Sequence, residues 1–326
     1  MIQDRHGRGV DYLRLAVTDR CNLRCFYCMP EEGIDFLKRQ DLLTYEEMLR
    51  LCRLLIAQGI RKIRITGGEP FLRKDLILFL RELSKLDGLE EWHLTTNGTL
   101  DTAIITELKN LGITSVNLSL DTLDRAKFEE ITRRDLLPKV LDTLDALLEQ
   151  GIKTKINTVV MSRHNIADIL PLVELGRDKP IDVRFIEEMP FNGSGRVEAL
   201  LWNYTMIYNH IEKQYPNISK LVDPKSSTSM NYQIPGFQGK VGIIAAYSRT
   251  FCGTCNRIRL TPKGVLKTCL YDKGTFNIKD LMRAGASDAQ ILTALEQAVM
   301  LKAIDGKAAE ANRNKDITES MASIGG

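Results

Sequence analysis

Between residues 11 and 186, short β-type runs alternate with helical patterns six times. Strands are expected near 11–17, 61–66, 91–96, 114–120, 152–160 and 181–186, and helices near 45–58, 73–86, 101–111, 124–131, 138–150 and 165–177. Gly59, Gly112 and Gly151 stand where helix C-terminal caps belong, each shortly before a strand. Six βα units in a row imply an α/β fold with a parallel sheet and helices outside it. A doubly wound sheet and a full or partial barrel both satisfy that pattern.

Strand parity separates these options. Leu13, Leu15 and Val17 share one face of the first strand, with Arg14 opposite. Ile63 and Ile65 oppose Arg64 and Thr66; Trp92 and Leu94 oppose His93, Thr95 and Asn97. Val116, Leu118 and Leu120 oppose Asn117, Ser119 and Asp121; Thr154 and Ile156 oppose Lys153, Lys155 and Asn157; Val183 and Phe185 oppose Arg184. Each strand thus carries polar groups on what would be the interior face of a barrel, where a packed core uses Val, Ile and Leu. In an open sheet some of these faces would meet solvent and mean little. Inside a barrel, buried cations need anions beside them. The pattern therefore points to a hollow, basic lumen for a negatively charged ligand, since the planar donor fork of Arg suits phosphate or carboxylate.

The totals exclude several classes. A net charge of +3 is too small to argue for a nucleic-acid or membrane partner, and 44% hydrophobic with 27% charged residues is ordinary for a globular chain. No apolar run approaches the roughly 18 residues of a membrane span. The start, Met-Ile-Gln-Asp-Arg-His, lacks an apolar signal core, so a cytoplasmic location is expected. Seven cysteines, an odd number in two tight clusters, make a poor disulfide framework and a good ligand pattern. Cys52 lies in the stripe Met48, Leu51, Cys52 and Leu55 of a helix opened by a Thr44/Glu47 capping box, and reads as core.

The other six form two sets of three: Cys21, Cys25 and Cys28 in a C-x3-C-x2-C run, and Cys252, Cys255 and Cys269 in a C-x2-C-x13-C run. Three thiolates either hold zinc with a fourth ligand or carry an iron–sulfur cube with one iron left open. No histidine stands near either set. Arg257 and Arg259 share a face of a short strand between the later thiols, and Pro262-Lys-Gly264 turns the chain back toward Cys269.

The first run, with Tyr27 before its last cysteine, resembles the signature of the radical S-adenosylmethionine enzymes. Ile65-Thr-Gly67-Gly68-Glu69-Pro70, at the end of the second strand, resembles that family's Gly-Gly-Glu-Pro segment, with glycines that permit close approach of a ligand. Val17-Thr-Asp-Arg-Cys21, Leu94-Thr-Thr-Asn-Gly98, Asn117-Leu-Ser-Leu-Asp121, Arg184-Phe-Ile-Glu-Glu-Met189, the Cys252–Cys269 segment and the terminal Gly325-Gly326 extend the likeness along essentially the whole chain. Together they resemble the GTP 3′,8-cyclases of molybdenum-cofactor biosynthesis.

That resemblance implies a partial (β/α)6 TIM-type barrel over 1–190 and a smaller C-terminal domain over 191–326 that closes its open side. It implies two 4Fe–4S clusters and S-adenosylmethionine as cofactors. The six cysteines would be the metal ligands. Tyr27, Gly67, Gly68, Glu69, Ser119 and Met189 would contact S-adenosylmethionine. Arg14, Arg64, Thr95, Lys155 and Arg184 would hold GTP, chiefly its triphosphate, while Arg257, Ile258 and Arg259 would flank the base. Gly325 and Gly326 would reach into the site as a tail. In the family an adenosyl radical takes hydrogen from the ribose C3′, and the sugar radical attacks C8 of guanine. The implied partners are an electron donor of flavodoxin or ferredoxin type and a downstream cyclic pyranopterin monophosphate synthase. Nucleic acid and membrane are not expected; the oligomeric state, a homodimer among the options, stays open.

The family pattern carries a histidine before the final glycines, and Glu319–Gly326 has none. The runner-up is another radical enzyme with an auxiliary cluster, such as a peptide-modifying maturase; a non-catalytic iron–sulfur or zinc module is the third reading. Residues 203–240 show no motif and are expected as connector and surface.

Overall fold

A computed structural model describes residues 2–191, 202–313 and 318–326. β1 (Tyr12–Ala16), β2 (Lys62–Thr66), β3 (Glu91–Thr96), β4 (Ser115–Ser119), β5 (Thr154–Val160) and β6 (Ile181–Glu187) lie side by side in chain order, every neighbouring pair parallel. The crossovers carry α1 (Tyr45–Ala57), α2 (Leu76–Leu83), α3 (Ala103–Asn110), α4 (Arg125–Thr132), α5 (Leu137–Glu149) and α6 (Ile169–Glu174). The helix expected over 165–177 is shorter, because Ile166–Asp168 forms a separate 3-10 turn.

Local chemistry accounts for these elements. Both halves of the Thr44/Glu47 capping box are made, and Met48, Leu51, Cys52 and Leu55 are buried on the inner stripe of α1. Gly59, Gly112 and Gly151 have φ of 104°, 74° and 60°, the left-handed values that stop a helix without a Cβ penalty. On the sheet, Leu13, Leu15, Ile63, Ile65, Leu94, Val116, Leu118, Ile156, Val183 and Phe185 are all buried against the helices. Each such side chain contributes about 1.5–3 kcal/mol by leaving water. Their parity pins the register, since a one-residue slip would turn every one of them to the other face.

The C-terminal third departs from expectation in one respect. Residues 203–240 are not simple connector: they hold α7 (Tyr204–Gln214), β7 (Ser219–Lys220) and β8 (Met230–Gln233), followed by β9 (Val241–Ile244). Asn203 caps α7 by accepting from Met206 N, and Ile207 and Ile211, one turn apart, are buried beneath it. β9 pairs parallel to β6, so α7 serves as a sixth crossover. After it come β10 (Arg257–Leu260), β11 (Val265–Lys267), β12 (Phe276–Asn277), α8 (Ile278–Arg283), α9 (Asp288–Met300), α10 (Gly306–Ala311) and α11 (Met321–Ile324).

β10 pairs parallel to β1 on the opposite edge, and β11 and β12 follow it antiparallel. The sheet order is β12-β11-β10-β1-β2-β3-β4-β5-β6-β9-β8-β7, an open arc among the described residues. The later segment thus lengthens both edges of one sheet. The boundary expected at 190/191 adjoins 192–201, which lie outside the described residues.

Phe185 is fully buried between β6 and its covering helices. Phe185→Ala is expected to cost about 3–5 kcal/mol of stability, read as a lowered denaturant midpoint at unchanged slope.

Candidate active site

The inner face of the arc is polar throughout. Cross-strand register sets Arg259, Arg14, Arg64 and His93 in one row. Thr95, Asn117 and Lys155 form a second, and Ser119, Asn157, Arg184 and Gly242 a third. Gly242 makes room for its neighbours: a Cβ there would overlap Ser229 Oγ and stand 3.0 Å from Arg184 Cγ. Tyr12 completes the base of the lumen, where Arg64 Nε donates to its hydroxyl at 2.7 Å.

Burial and mutual repulsion strain these cations. Burial, then Arg259, brings Arg14 down to about 9. Burial, then Arg64, brings Arg184 to about 10. Lys155 falls to about 7 through burial and the charge of Arg184, despite Asp182 at 4.0 Å. Burial, Arg64 and Lys62 hold His93 down to about 3, so its ring is neutral between Ser115 Oγ (2.8 Å) and Glu91 Oε2 (2.9 Å).

Nine buried side-chain polar atoms lack a partner among the described residues. Six of them are on this face: Arg14 Nε, Thr66 Oγ1, Thr95 Oγ1, Asn117 Oδ1, Asn157 Oδ1 and Arg184 Nε. Each such group costs about 1–3 kcal/mol, so their concentration in one place marks a ligand chamber.

The first thiol trio lies beyond the end of β1. Cys25 and Cys28 are pushed up by burial, and Cys21 reaches about 12 through burial and the nearby Glu69; the charge of Cys28 further raises both Cys21 and Cys25. Asn97 Nδ2 donates to Cys21 Sγ at 3.6 Å. Tyr27 donates to Asp121 Oδ2 at 2.8 Å. Gly67 and Gly68 admit the chain's own loop: a Cβ on Gly67 would stand 2.6 Å from Thr18 O, and one on Gly68 would overlap Arg20 O. Gly68 N and Glu69 N donate to Thr18 O and Arg20 O at 2.8 Å each. These glycines thus also lie close against the backbone that delivers Cys21. Glu69, buried and raised to about 7, accepts from Thr96 Oγ1, Asn97 N and Phe71 N.

The second trio sits at the start of β10. Cys252 and Cys255 form a single turn before it, and the antiparallel register of Arg259 with Lys267 returns Cys269 beside Cys255. Burial raises Cys252, and raises Cys269 to about 11. Because β10 and β1 run parallel, the trios flank opposite ends of the same strand pair, separated by the roughly 16 Å of a five-residue strand. No three His, Cys, Asp or Glu side chains among the described residues are gathered closely enough to hold a single metal ion. A cubane takes each thiolate at a different iron and needs no convergence on one point. The donor set therefore fits an iron–sulfur cube better than a lone zinc.

The tail joins the two ends. Glu319 pairs with Lys267 (2.9 Å) and Arg313 (2.7 Å), beside the second trio. Ser320 Oγ donates to Cys28 O at 2.6 Å and lies 4.0 Å from Cys28 Sγ. Gly325 O accepts from Arg259 Nη1 at 2.8 Å, and Gly326 O accepts from Arg14 Nη2. Gly325 has φ +90°, and a Cβ would stand 2.6 Å from Ala16 Cβ. Without a histidine, the tail packs through Ile324 against Phe191, Tyr271 and Ala309.

Most expected residues therefore meet around one lumen: Arg14, Arg64, Thr95, Ser119, Lys155, Arg184, Arg257, Arg259 and the two glycines of the tail. Ile258 does not: its side chain is buried beside Leu13 on the helix side, one residue out of phase with the arginines. Met189 packs by the tail and Cys269 rather than on the strands. Asn117 and Asn157 had the inward parity but were not singled out. Lys302 was missed entirely, its one signal being a lone cation in Leu301-Lys302-Ala303-Ile304.

Two family models match successive parts of the chain. Residues 15–176 match the model of the Radical SAM superfamily, and 181–307 that of Molybdenum Cofactor Synthesis C. The chain is 41% identical to "GTP 3′,8-cyclase" of Clostridium perfringens, covering 92% of this chain and 93% of the relative. It is 40% identical to "GTP 3′,8-cyclase, mitochondrial" of Arabidopsis thaliana, covering 100% and 84%. "Molybdenum cofactor biosynthesis protein 1" of Bos taurus is 42% identical over 91% of this chain, which spans 47% of that longer protein. The solved structure of Streptococcus suis SuiB shares the fold, with TM-score 0.64 at 14% identity over 96% of this chain and 76% of that one. The chain belongs to the radical SAM superfamily and, within it, to the family of the GTP 3′,8-cyclases.

Gly68→Ala is expected to lower stability by about 1–3 kcal/mol, the ordinary cost of overpacking, and to displace the loop carrying Cys21. Urea denaturation and cluster content of the reconstituted variant read the two effects.

Proposed function

We propose that this chain is a radical S-adenosylmethionine GTP 3′,8-cyclase that converts GTP to 3′,8-cyclo-7,8-dihydro-GTP, the first step of molybdenum-cofactor biosynthesis. The observation that carries the reading is the basic lumen with unpaired polar atoms, lined at each end by three thiols. When bound, two 4Fe–4S clusters on Cys21, Cys25, Cys28 and on Cys252, Cys255, Cys269, with S-adenosylmethionine at the first, supply the adenosyl radical and an open iron for the purine.

The chain's own residues bind, orient and enclose. GTP carries up to four negative charges; Arg64, Lys155 and Arg184 neutralise them and fix the triphosphate by charge-assisted bonds. Arg184 Nε supplies a donor already stripped of water and still unpaired. The carboxamide oxygens of Asn117 and Asn157 cannot bond phosphate, which only accepts; they take ribose or base donors. Arg257 and Arg259 stand at the second trio, where a purine would lie. Tyr27, Glu69, Ser119 and Met189 serve the S-adenosylmethionine end. The tail carbonyls on Arg14 and Arg259 cover the chamber and keep water from a reactive sugar. Residues 1–190 would be the radical domain and 191–326 the auxiliary-cluster domain, working in the cytoplasm. A flavodoxin- or ferredoxin-type donor would reduce the chain, and cyclic pyranopterin monophosphate synthase would take its product.

Anaerobic, reduced protein is expected to hold about eight irons and to form 5′-deoxyadenosine with S-adenosylmethionine only when GTP is added. Production independent of GTP, or one cluster's worth of iron after full reconstitution, would sink the reading.

GTP binding is also expected to take up a proton. Lys155 is largely neutral at pH 8 in the empty site, and a triphosphate raises it again. Calorimetry at pH 8 in two buffers of different ionisation enthalpy should show uptake approaching one proton, fading below pH 6 and absent in Lys155→Met.

A further inference from the structure

Lys302, in the loop after α9, is 2% exposed and one of the largest fully buried side chains of the protein. Its Nζ has three acceptors: Cys255 Sγ at 3.6 Å, Arg257 O at 2.8 Å and Thr268 O. An ammonium has three N–H donors and no acceptor, so every proton is used. No carboxylate among the described residues lies within ion-pair distance of it. Two peptide carbonyls solvate a cation but do not neutralise it, and an uncompensated buried charge costs several kcal/mol. The sulfur of Cys255 is the remaining place for the balancing charge.

The two carbonyls add a mechanical element. Arg257 O belongs to the first residue of β10, whose side chain faces the lumen, and Thr268 O precedes Cys269. One ammonium thus clasps the ends of β10 and β11 at the point where they present two of the three thiols. The neighbouring Ala303 and Ile304 carbonyls are held in turn by Arg8, which also binds Cys252 O.

We propose that Lys302 is a positioning residue for the second metal centre: it fixes Cys255 through an N–H···S bond and sets the reduction potential of the cluster that thiol carries. The proposal rests on the reading of the second trio as cluster ligands. Reduction adds negative charge to a cluster, and a buried cation at a ligating sulfur favours that state, so removing it makes reduction harder.

The full chain carrying Cys21→Ala, Cys25→Ala and Cys28→Ala isolates the second centre. Iron and sulfide analysis of this parent, followed by an anaerobic redox titration monitored by electron paramagnetic resonance, is repeated with Lys302→Met. The expected result is equal iron and sulfide with a midpoint shifted to more negative potential. An unshifted midpoint overturns the proposal. A parent without iron overturns instead the reading on which it rests. If Lys302→Met loses its cluster, Lys302→Gln, which keeps two donors without the charge, decides: a more negative midpoint supports the role and an unchanged one refutes it. Cluster loss in both variants with the thermal transition preserved supports a residue needed at the metal. Loss together with unfolding reduces Lys302 to a structural lysine.

Discussion

Packing cations onto the inner face of a parallel sheet is the constraint around which this molecule is built. Two unit charges about 6 Å apart still repel by roughly 3 kcal/mol at an effective dielectric of about 20. Arg14, Arg64, Lys155, Arg184 and Arg259 share one interior with few compensating carboxylates. The lowered proton affinities of Arg14, Lys155, Arg184 and Arg259 record that cost, and the apolar outer face of the same strands makes it bearable. Every strand does both jobs, with aliphatic side chains toward the helices and polar ones toward the chamber. An anion entering the lumen would relieve that repulsion and add its binding energy to the stability of the folded chain.

The C-terminal third serves this design by extending it. β10 continues the sheet past β1 and adds two more arginines to the inner row; β9 continues it past β6 with the small residue that Arg184 requires. The parallel alignment of β10 with β1 places the second trio near the start of the strands, while the first trio follows their end. The tail then runs between the two, from Glu319 by Cys269 to Ser320 by Cys28 and on to the arginines. Two thiol sets that are 224 residues apart, from Cys28 to Cys252, become the two mouths of one chamber.

Support around the thiols differs at the two ends. At the first, Gly67 and Gly68 let the β2 loop lie against Thr18–Arg20, and Asn97 reaches Cys21. Glu187, fully buried at the end of β6, accepts from Tyr204 N, Tyr247 N and Ser248 N and Oγ, fixing the loop that leads to Cys252. At the second, Lys302 and Arg8 bind carbonyls on either side of the cysteines. Carboxylate and cation hubs of this kind hold irregular backbone where no regular ladder can.

The sequence by itself determined the strand and helix order, the two faces of each strand, the grouping of the thiols and the inward arginines, because period-two alternation, capping boxes and ligand spacing are local. What it left out was of one kind. The family resemblance set Ile258 beside Arg257 and Arg259, and the fold buries its side chain on the helix side of the sheet. Gly67 and Gly68 also admit a loop that lies 47 residues upstream of Gly67, at Arg20, a contact that no local pattern announces. The parallel docking of β10 on β1, the sixth crossover through α7, the tail's path and the role of Lys302 were decided by tertiary structure alone. Each depends on partners far apart in the chain, and long-range pairing leaves no periodic trace at either partner.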